Sequence, residues 1–200
     1  KRQKKNITIH QLLTHTAGFP DAVRKDFVKI TTKDFFEKLF ATKLLFTPGE
    51  KYKYSNTGYS ILGRIIELAS GLEYEKFLNQ YFFIPAEMNQ TGYLLPKWDT
   101  KQISRSYNRG VLEDESPILK YQRDGNISWY LKANGGINST QNDMILWYKA
   151  LKSNKIISKE SFEKMTTPYA DYPSGKLSYG YGWSVKFLDR TTKRIAHNGS

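Results

Sequence analysis

The sequence predicts an α+β protein: a mainly helical region over residues 1–165, then the start of an antiparallel sheet flanked by helices over residues 166–200. Three observations carry this. Apolar residues recur at helical spacing in several segments between residues 31 and 165. Residues 178–187 instead alternate and are rich in aromatics, the signature of a strand. A further strand begins near Arg194, and because an isolated hairpin is marginal, more sheet is expected from outside these residues.

The elements follow in order. Thr31-Thr32-Lys33-Asp34 has the form of a capping box, with the Thr31 hydroxyl available to the orphan amides of a starting helix. Phe35, Phe36, Leu39 and Phe40 then share a helical face, and Thr47-Pro48-Gly49 is a turn signal. The strongest helix covers residues 56–70. Tyr59, Leu62, Ile66 and Ala69 form one apolar stripe and Ile61, Ile65 and Leu68 a second, so this helix is expected to be central and buried. Gly58 and Gly63 permit close packing, and Gly71 supplies a left-handed cap. A short helix is expected over residues 74–81. Residues 92–134 are turn-rich and show little periodicity. Thr140-x-x-Asp143 is a second capping box, followed by Met144, Trp147, Tyr148 and Leu151 at helical spacing. Ser158 caps a short helix carrying Phe162 and Met165, and a turn over residues 189–193 joins the two strands.

Composition narrows the function classes. A chain of 200 residues with 39% hydrophobic and 14% aromatic content can bury a substantial core. No apolar run is long enough for a membrane span, and Thr8, His10 and Gln11 break up residues 7–13, so no signal peptide is expected there. Cysteine is absent, which excludes disulfides, thiol nucleophiles and thiolate zinc sites. The net charge of +12 is dispersed apart from Lys1, Arg2, Lys4 and Lys5, and reads as a lysine-rich solvated surface. The aromatics lie in apolar helices and are not interleaved with a basic stripe, so no nucleic-acid partner is expected. The three histidines lack metal-ligand spacing, and no cofactor is expected. There is no Walker loop, no dinucleotide fingerprint and no Gly-x-Ser-x-Gly elbow.

Four motifs carry the chemistry. Leu12-Leu13-Thr14-His15-Thr16-Ala17-Gly18 comes first. The second is Tyr54-Ser55-Asn56, set in Phe46-x-Pro48-Gly49-Glu50-x-Tyr52 upstream and Thr57-Gly58-Tyr59-x-x-Leu62-Gly63 downstream. Gly135-Gly136-Ile137-Asn138-Ser139-Thr140 follows, and His197-Asn198-Gly199 closes the set. In this order they resemble the serine β-lactamase and penicillin-binding-protein family, whose relatives include D-alanyl-D-alanine carboxypeptidases, D-aminopeptidases and esterases. The stretch Pro85-x-x-Met88 departs from the usual Pro-Leu-Gly-Met, with Ala86 and Glu87 in the middle.

The resemblance implies a β-lactamase/transpeptidase-like fold and acyl transfer through a seryl ester on D-amino-acid peptides, β-lactams or esters. It makes Tyr54 a general acid/base and Asn56 a hydrogen-bonding partner of the substrate amide. His197 stands where β-lactamases usually carry lysine. Gly199 lets the strand approach substrate, and the Ser200 N–H is one oxyanion-hole donor. A small-molecule or peptide substrate and an extracytoplasmic, cell-envelope location are implied as well.

The family's nucleophile is the serine of a Ser-x-x-Lys that precedes the tyrosine box, and is expected upstream of residue 1, leaving the 200-residue chain inactive alone. Ser161-Phe162-Glu163-Lys164 has the literal pattern but follows Tyr54 and opens a short amphipathic helix, so it is rejected. His15 is read as structural, holding loop backbone, and His10 as a partly buried histidine with a partner. The chief rival is a non-catalytic module of the same fold that binds cell-wall peptides. A basic protein binding nucleic acid non-specifically ranks behind it and would lose affinity steeply with salt.

Overall fold

A computed structural model describes residues 3–21, 26–105, 107–112, 116–189 and 192–199. The fold is α+β, as the sequence predicts. A 3₁₀ turn at Gln3–Asn6 leads into helix α1 (Ile9–Leu13), then α2 (Thr32–Ala41), α3 (Asn56–Ser70) and α4 (Tyr74–Leu78), which runs on as one π turn at Asn79–Phe83. Helices α5 (Pro117–Asp124), α6 (Gln141–Lys152) and α7 (Lys159–Met165) follow. Strands β1 (Tyr107–Asn108) and β2 (Val111–Leu112) form a small hairpin. Strands β3 (Ala170–Asp171), β4 (Ser178–Tyr179), β5 (Ser184–Phe187) and β6 (Lys193–Ala196) form an antiparallel sheet in that order.

Local chemistry explains where the elements start. Ser55, Thr31, Ser116, Thr140 and Ser158 each accept a hydrogen bond from the third backbone N–H of the helix they precede. The reciprocal capping box is formed in α1, between Thr8 and Gln11. The pairs at Thr31 and Thr140 make only its first half. Asp143 is drawn away because its Oδ2 accepts the Gln90 N–H and the Thr91 hydroxyl, both at 2.8 Å.

Helix α3 matches the expected residues 56–70, and Gly71 caps it at φ 72°. It is less buried than its composition predicts. Its buried residues are the small ones, Thr57, Gly58, Ser60 and Gly63, while Leu68 is 68% exposed. Gly63 explains the close approach: a Cβ there would collide with the Cβ of Ala133. Ile61, Leu62 and Ile65 pack against the core of Leu12, Phe19, Phe35, Leu39, Trp129 and Tyr130. A second core joins Phe83, Ala86, Met88 and Ala150, and a third Tyr93, Tyr121 and Ile127.

The sequence reading missed α1, α5, β3 and the β1–β2 hairpin. It also read residues 178–187 as one strand. They form two, because the Gly180 N–H bonds the Trp183 carbonyl at 2.7 Å and Gly182 sits at φ 80°. A Cβ on Gly180 would strike the Met165 carbonyl oxygen, so the turn is pressed onto the end of α7. Among the described residues no helix is long and apolar enough to cross a membrane.

Candidate active site

The N-terminus of α3 is held by the loop of the first motif. The Ser55 hydroxyl donates to the Pro20 carbonyl at 2.9 Å, and Asp21 Oδ1 accepts the Asn56 N–H at 3.0 Å. The Thr57 hydroxyl donates to the Asp21 carbonyl at 2.9 Å. These bonds fix the residues on either side of Ser55, Tyr54 and Asn56, at the mouth of a cleft. Neither the Tyr54 hydroxyl nor the Asn56 side-chain amide makes a hydrogen bond among the described residues.

The cleft has a volume of about 1050 Å³. One wall carries Tyr52, Tyr54 and Asn56, and another Asn134 to Asn138. The sheet side contributes Tyr172, Ser184, His197, Asn198 and Gly199. The structure thus brings Tyr54, Asn56, His197 and Gly199 to one cavity, although sequence separates the tyrosine from the histidine by most of the chain. Ser200 lies outside the described residues.

His197 sits just past the end of β6. Its Nδ1 lies 2.7 Å from the Asn198 carbonyl oxygen, which can only accept, so Nδ1 carries a proton. Its Nε2 is 2.9 Å from the Tyr179 hydroxyl. The neutral ring therefore accepts from Tyr179, and the imidazolium donates to it. Its ring centroid is 6.1 Å from that of Tyr54. Burial pushes the Tyr54 hydroxyl above the ordinary phenol value, and the charge of Asp21 and the neighbouring Tyr172 add to the shift. A base working near neutrality needs the opposite shift, which an adjacent cation supplies.

Tyr179 escaped the sequence reading. It is 1% exposed, and burial raises its hydroxyl pKa well above the usual phenol range. It therefore stays protonated beside His197, donating to the neutral ring and accepting from the imidazolium. The aromatic alternation around residues 178–187 was its only signal, and alternation does not say which ring meets the histidine. Tyr172, whose hydroxyl is 2.7 Å from the Ser184 Oγ, and Asp26 also line the cleft without a sequence cue.

Ser161 and Lys164 do not form a nucleophile pair. Ser161 is exposed, and its Oγ lies 3.0 Å from the Ser158 hydroxyl, which donates to it. Lys164 is 2.8 Å from Glu160. Neither lines the cleft. His10 differs from expectation in being exposed, though its Nδ1 does find a partner in the Tyr181 hydroxyl at 2.8 Å.

A Beta-lactamase family model matches residues 1–199. Penicillin-binding protein 4* of Bacillus subtilis (strain 168) is 31% identical over 96% of the chain and 46% of its own length. The chain spans less than half the length of such curated relatives, 42% in the case of the putative penicillin-binding protein PbpX of the same strain. Among solved structures, the D-stereospecific amidohydrolase from a Streptomyces species superposes with a TM-score of 0.76 at 22% identity. That match covers 98% of this chain and 62% of that one, and shows the fold alone. The octameric penicillin-binding protein homologue from Pyrococcus abyssi gives a TM-score of 0.72 at 29% identity, over 97% of this chain and 46% of that one.

Proposed function

The chain belongs to the Beta-lactamase family, and we propose that it forms the central part of a longer serine hydrolase of the cell envelope. The reaction is acyl transfer on D-amino-acid peptides, β-lactams or simple esters. The observation that carries this reading is the convergence of Tyr54, Asn56 and His197 on one cleft.

In this mechanism the nucleophile is the serine of a Ser-x-x-Lys supplied from outside residues 1–200. The Tyr54 phenolate takes the serine proton as the seryl oxygen attacks the substrate carbonyl carbon. Asn56 orients the substrate amide with its free side chain. The backbone N–H of Ser200 and that of the serine itself stabilise the tetrahedral oxyanion. Tyr54 then gives its proton to the leaving amine or alkoxide, leaving a seryl ester. Water opens that ester by the same route in reverse. Reaching a pKa near 7 from ~10 requires ~4 kcal/mol in favour of phenolate, at ~1.4 kcal/mol per unit. Because burial and Asp21 push Tyr54 upward, the lysine of the Ser-x-x-Lys has to overcome both.

As the imidazolium, His197 donates through Nε2 to Tyr179, and its charge, beside the Tyr54 ring, favours the Tyr54 phenolate and attracts a substrate carboxylate. In the full-length hydrolase His197→Lys, which keeps a cation, is expected to retain more kcat/KM than His197→Gln, which keeps hydrogen bonding without charge. Equal losses in the two variants would remove the charge of His197 from the mechanism.

A further inference from the structure

We propose that His15 is a positioning residue for Tyr54, acting through the backbone of residues 53–55. The inference rests on the reading of Tyr54 as the proton carrier, and its geometry is independent of that reading. His15 is 2% exposed and sits at φ 56°, the left-handed region. This turn of the chain aims both its ring and its carbonyl at the segment before α3. The His15 Nδ1 accepts the Ser55 N–H at 3.1 Å, and the His15 carbonyl accepts the Lys53 N–H at 2.9 Å. Tyr54 is thus held on both sides by one residue. Its ring also lies against the imidazole, with centroids 4.3 Å apart.

Because Nδ1 accepts, it carries no proton, and the neutral ring is protonated on Nε2. Burial, with the nearby His197 adding to it, lowers the His15 pKa to about 3. The ring is neutral wherever the enzyme would work. Protonating Nδ1 would set two donors against each other and release Ser55.

Stability alone does not account for a histidine here. The rings of Tyr54, Tyr179, Tyr59 and Tyr52 surround the imidazole at 4.3–5.9 Å. The buried Nε2 has no hydrogen-bond partner among the described residues. A typical hydrogen bond contributes ~0.5–1.5 kcal/mol net, whereas an unsatisfied buried donor costs ~1–3 kcal/mol. A leucine would fill the cage without an orphaned Nε2 but would strand the buried Ser55 N–H in its place, so stability favours neither residue clearly. What leucine lacks is an acceptor at the δ position, and the acceptor is what locates Ser55 and so Tyr54.

Asparagine places its Oδ1 where the histidine places Nδ1, and it tolerates positive φ. Leucine has the same shape without the acceptor, and glutamine carries its amide one atom too far out. In the full-length hydrolase, His15→Leu and His15→Gln are expected to lower kcat ~10²-fold, the effect of a misplaced catalytic group, with KM changed less than ~3-fold. His15→Asn should recover kcat to within ~5-fold of wild type. In a Tyr54→Phe background the same leucine change should cost less than ~3-fold, since its target is already gone. An equal loss in Asn, Leu and Gln variants would overturn the proposal, as would a leucine penalty undiminished in that background. Should the leucine variant fail to fold, the asparagine–glutamine comparison decides. Exchange of the Ser55 amide gives a readout separate from activity: slow in wild type and His15→Asn, fast in the other two. If Tyr54→Phe leaves turnover intact, the mechanistic reading fails and the exchange experiment still judges the anchor. Equal Ser55 protection in all variants would refute it.

Discussion

Replacing Tyr54 by phenylalanine in the full-length hydrolase is expected to lower turnover by ~10²–10⁴, the usual contribution of a positioned general acid/base. That corresponds to ~3–5.5 kcal/mol of transition-state stabilisation. The substitution removes one oxygen and nothing else from the packing. The Tyr54 hydroxyl makes no hydrogen bond among the described residues, so its removal leaves no partner stranded. The ring contacts to His15 and His197 at 4.3 and 6.1 Å are retained. The melting temperature should accordingly be unchanged, and KM should move little. Steady-state hydrolysis of a nitrophenyl ester and of a chromogenic β-lactam, paired with a thermal melt, checks this. Near-normal turnover with a native melting profile would assign Tyr54 a structural role.

The largest expected effect on stability is at Glu75, on α4, a residue that no sequence motif marks. Its side chain is buried, and its Oε1 accepts the N–H groups of Tyr93, Leu94 and Leu95 at 2.7, 2.8 and 2.9 Å. One carboxylate thus gathers three successive amides. Glu75→Ala leaves the buried Tyr93 amide and the part-buried amide bonds of Leu94 and Leu95 without their acceptor, and hydrogen bonds to a charged acceptor contribute ~1.5–3 kcal/mol each. A loss of ~3–5 kcal/mol is expected, in the range reserved for broken buried networks. Glu75→Gln keeps an acceptor without the charge and should lose about half of that. Activity should follow stability here for a geometric reason. The segment after Gly92 supports the cleft wall: Gly92 and Asn138 exchange two backbone bonds at 3.0 Å, and the Tyr93 hydroxyl donates to the Gly135 carbonyl at 2.9 Å. Chemical denaturation of the three proteins measures the losses. Variants within ~1 kcal/mol of wild type would mean that the three amides find other partners.

How far the sequence reached depended on the range of the interactions. Helix α3 was legible to its last residue because its stripes, its Ser55 cap and Gly71 are all local signals. Its depth of burial was not. The packing of Gly63 against Ala133 decides which face turns inward, and that contact is long-range. The strand break at residues 180–183 was hidden because alternation continues through the aromatics while Gly180 and Gly182 make the turn. Among the candidate site residues, Tyr54, Asn56, His197 and Gly199 stood out through motifs, and the structure gathers them in one cleft. Tyr179 and Glu75 carry no motif. Each acts through partners 18 or more residues away, the Tyr179 hydroxyl on His197 and the Glu75 carboxylate on the Tyr93 amide. His15 was read as holding loop backbone, and its bonds from the Ser55 and Lys53 N–H groups show which backbone it holds, the segment around Tyr54.

The central claim is that this cleft serves a serine nucleophile other than Ser161. Covalent labelling with a fluorescent penicillin or a fluorophosphonate, followed by mass mapping of the modified peptide, tests it most directly. In the full-length protein the label should fall on the serine of a Ser-x-x-Lys outside residues 1–200, and the 200-residue chain alone should remain unlabelled and hydrolyse neither substrate above background. A label on Ser161, or a full-length protein that takes no label while binding cell-wall peptide, would contradict the account.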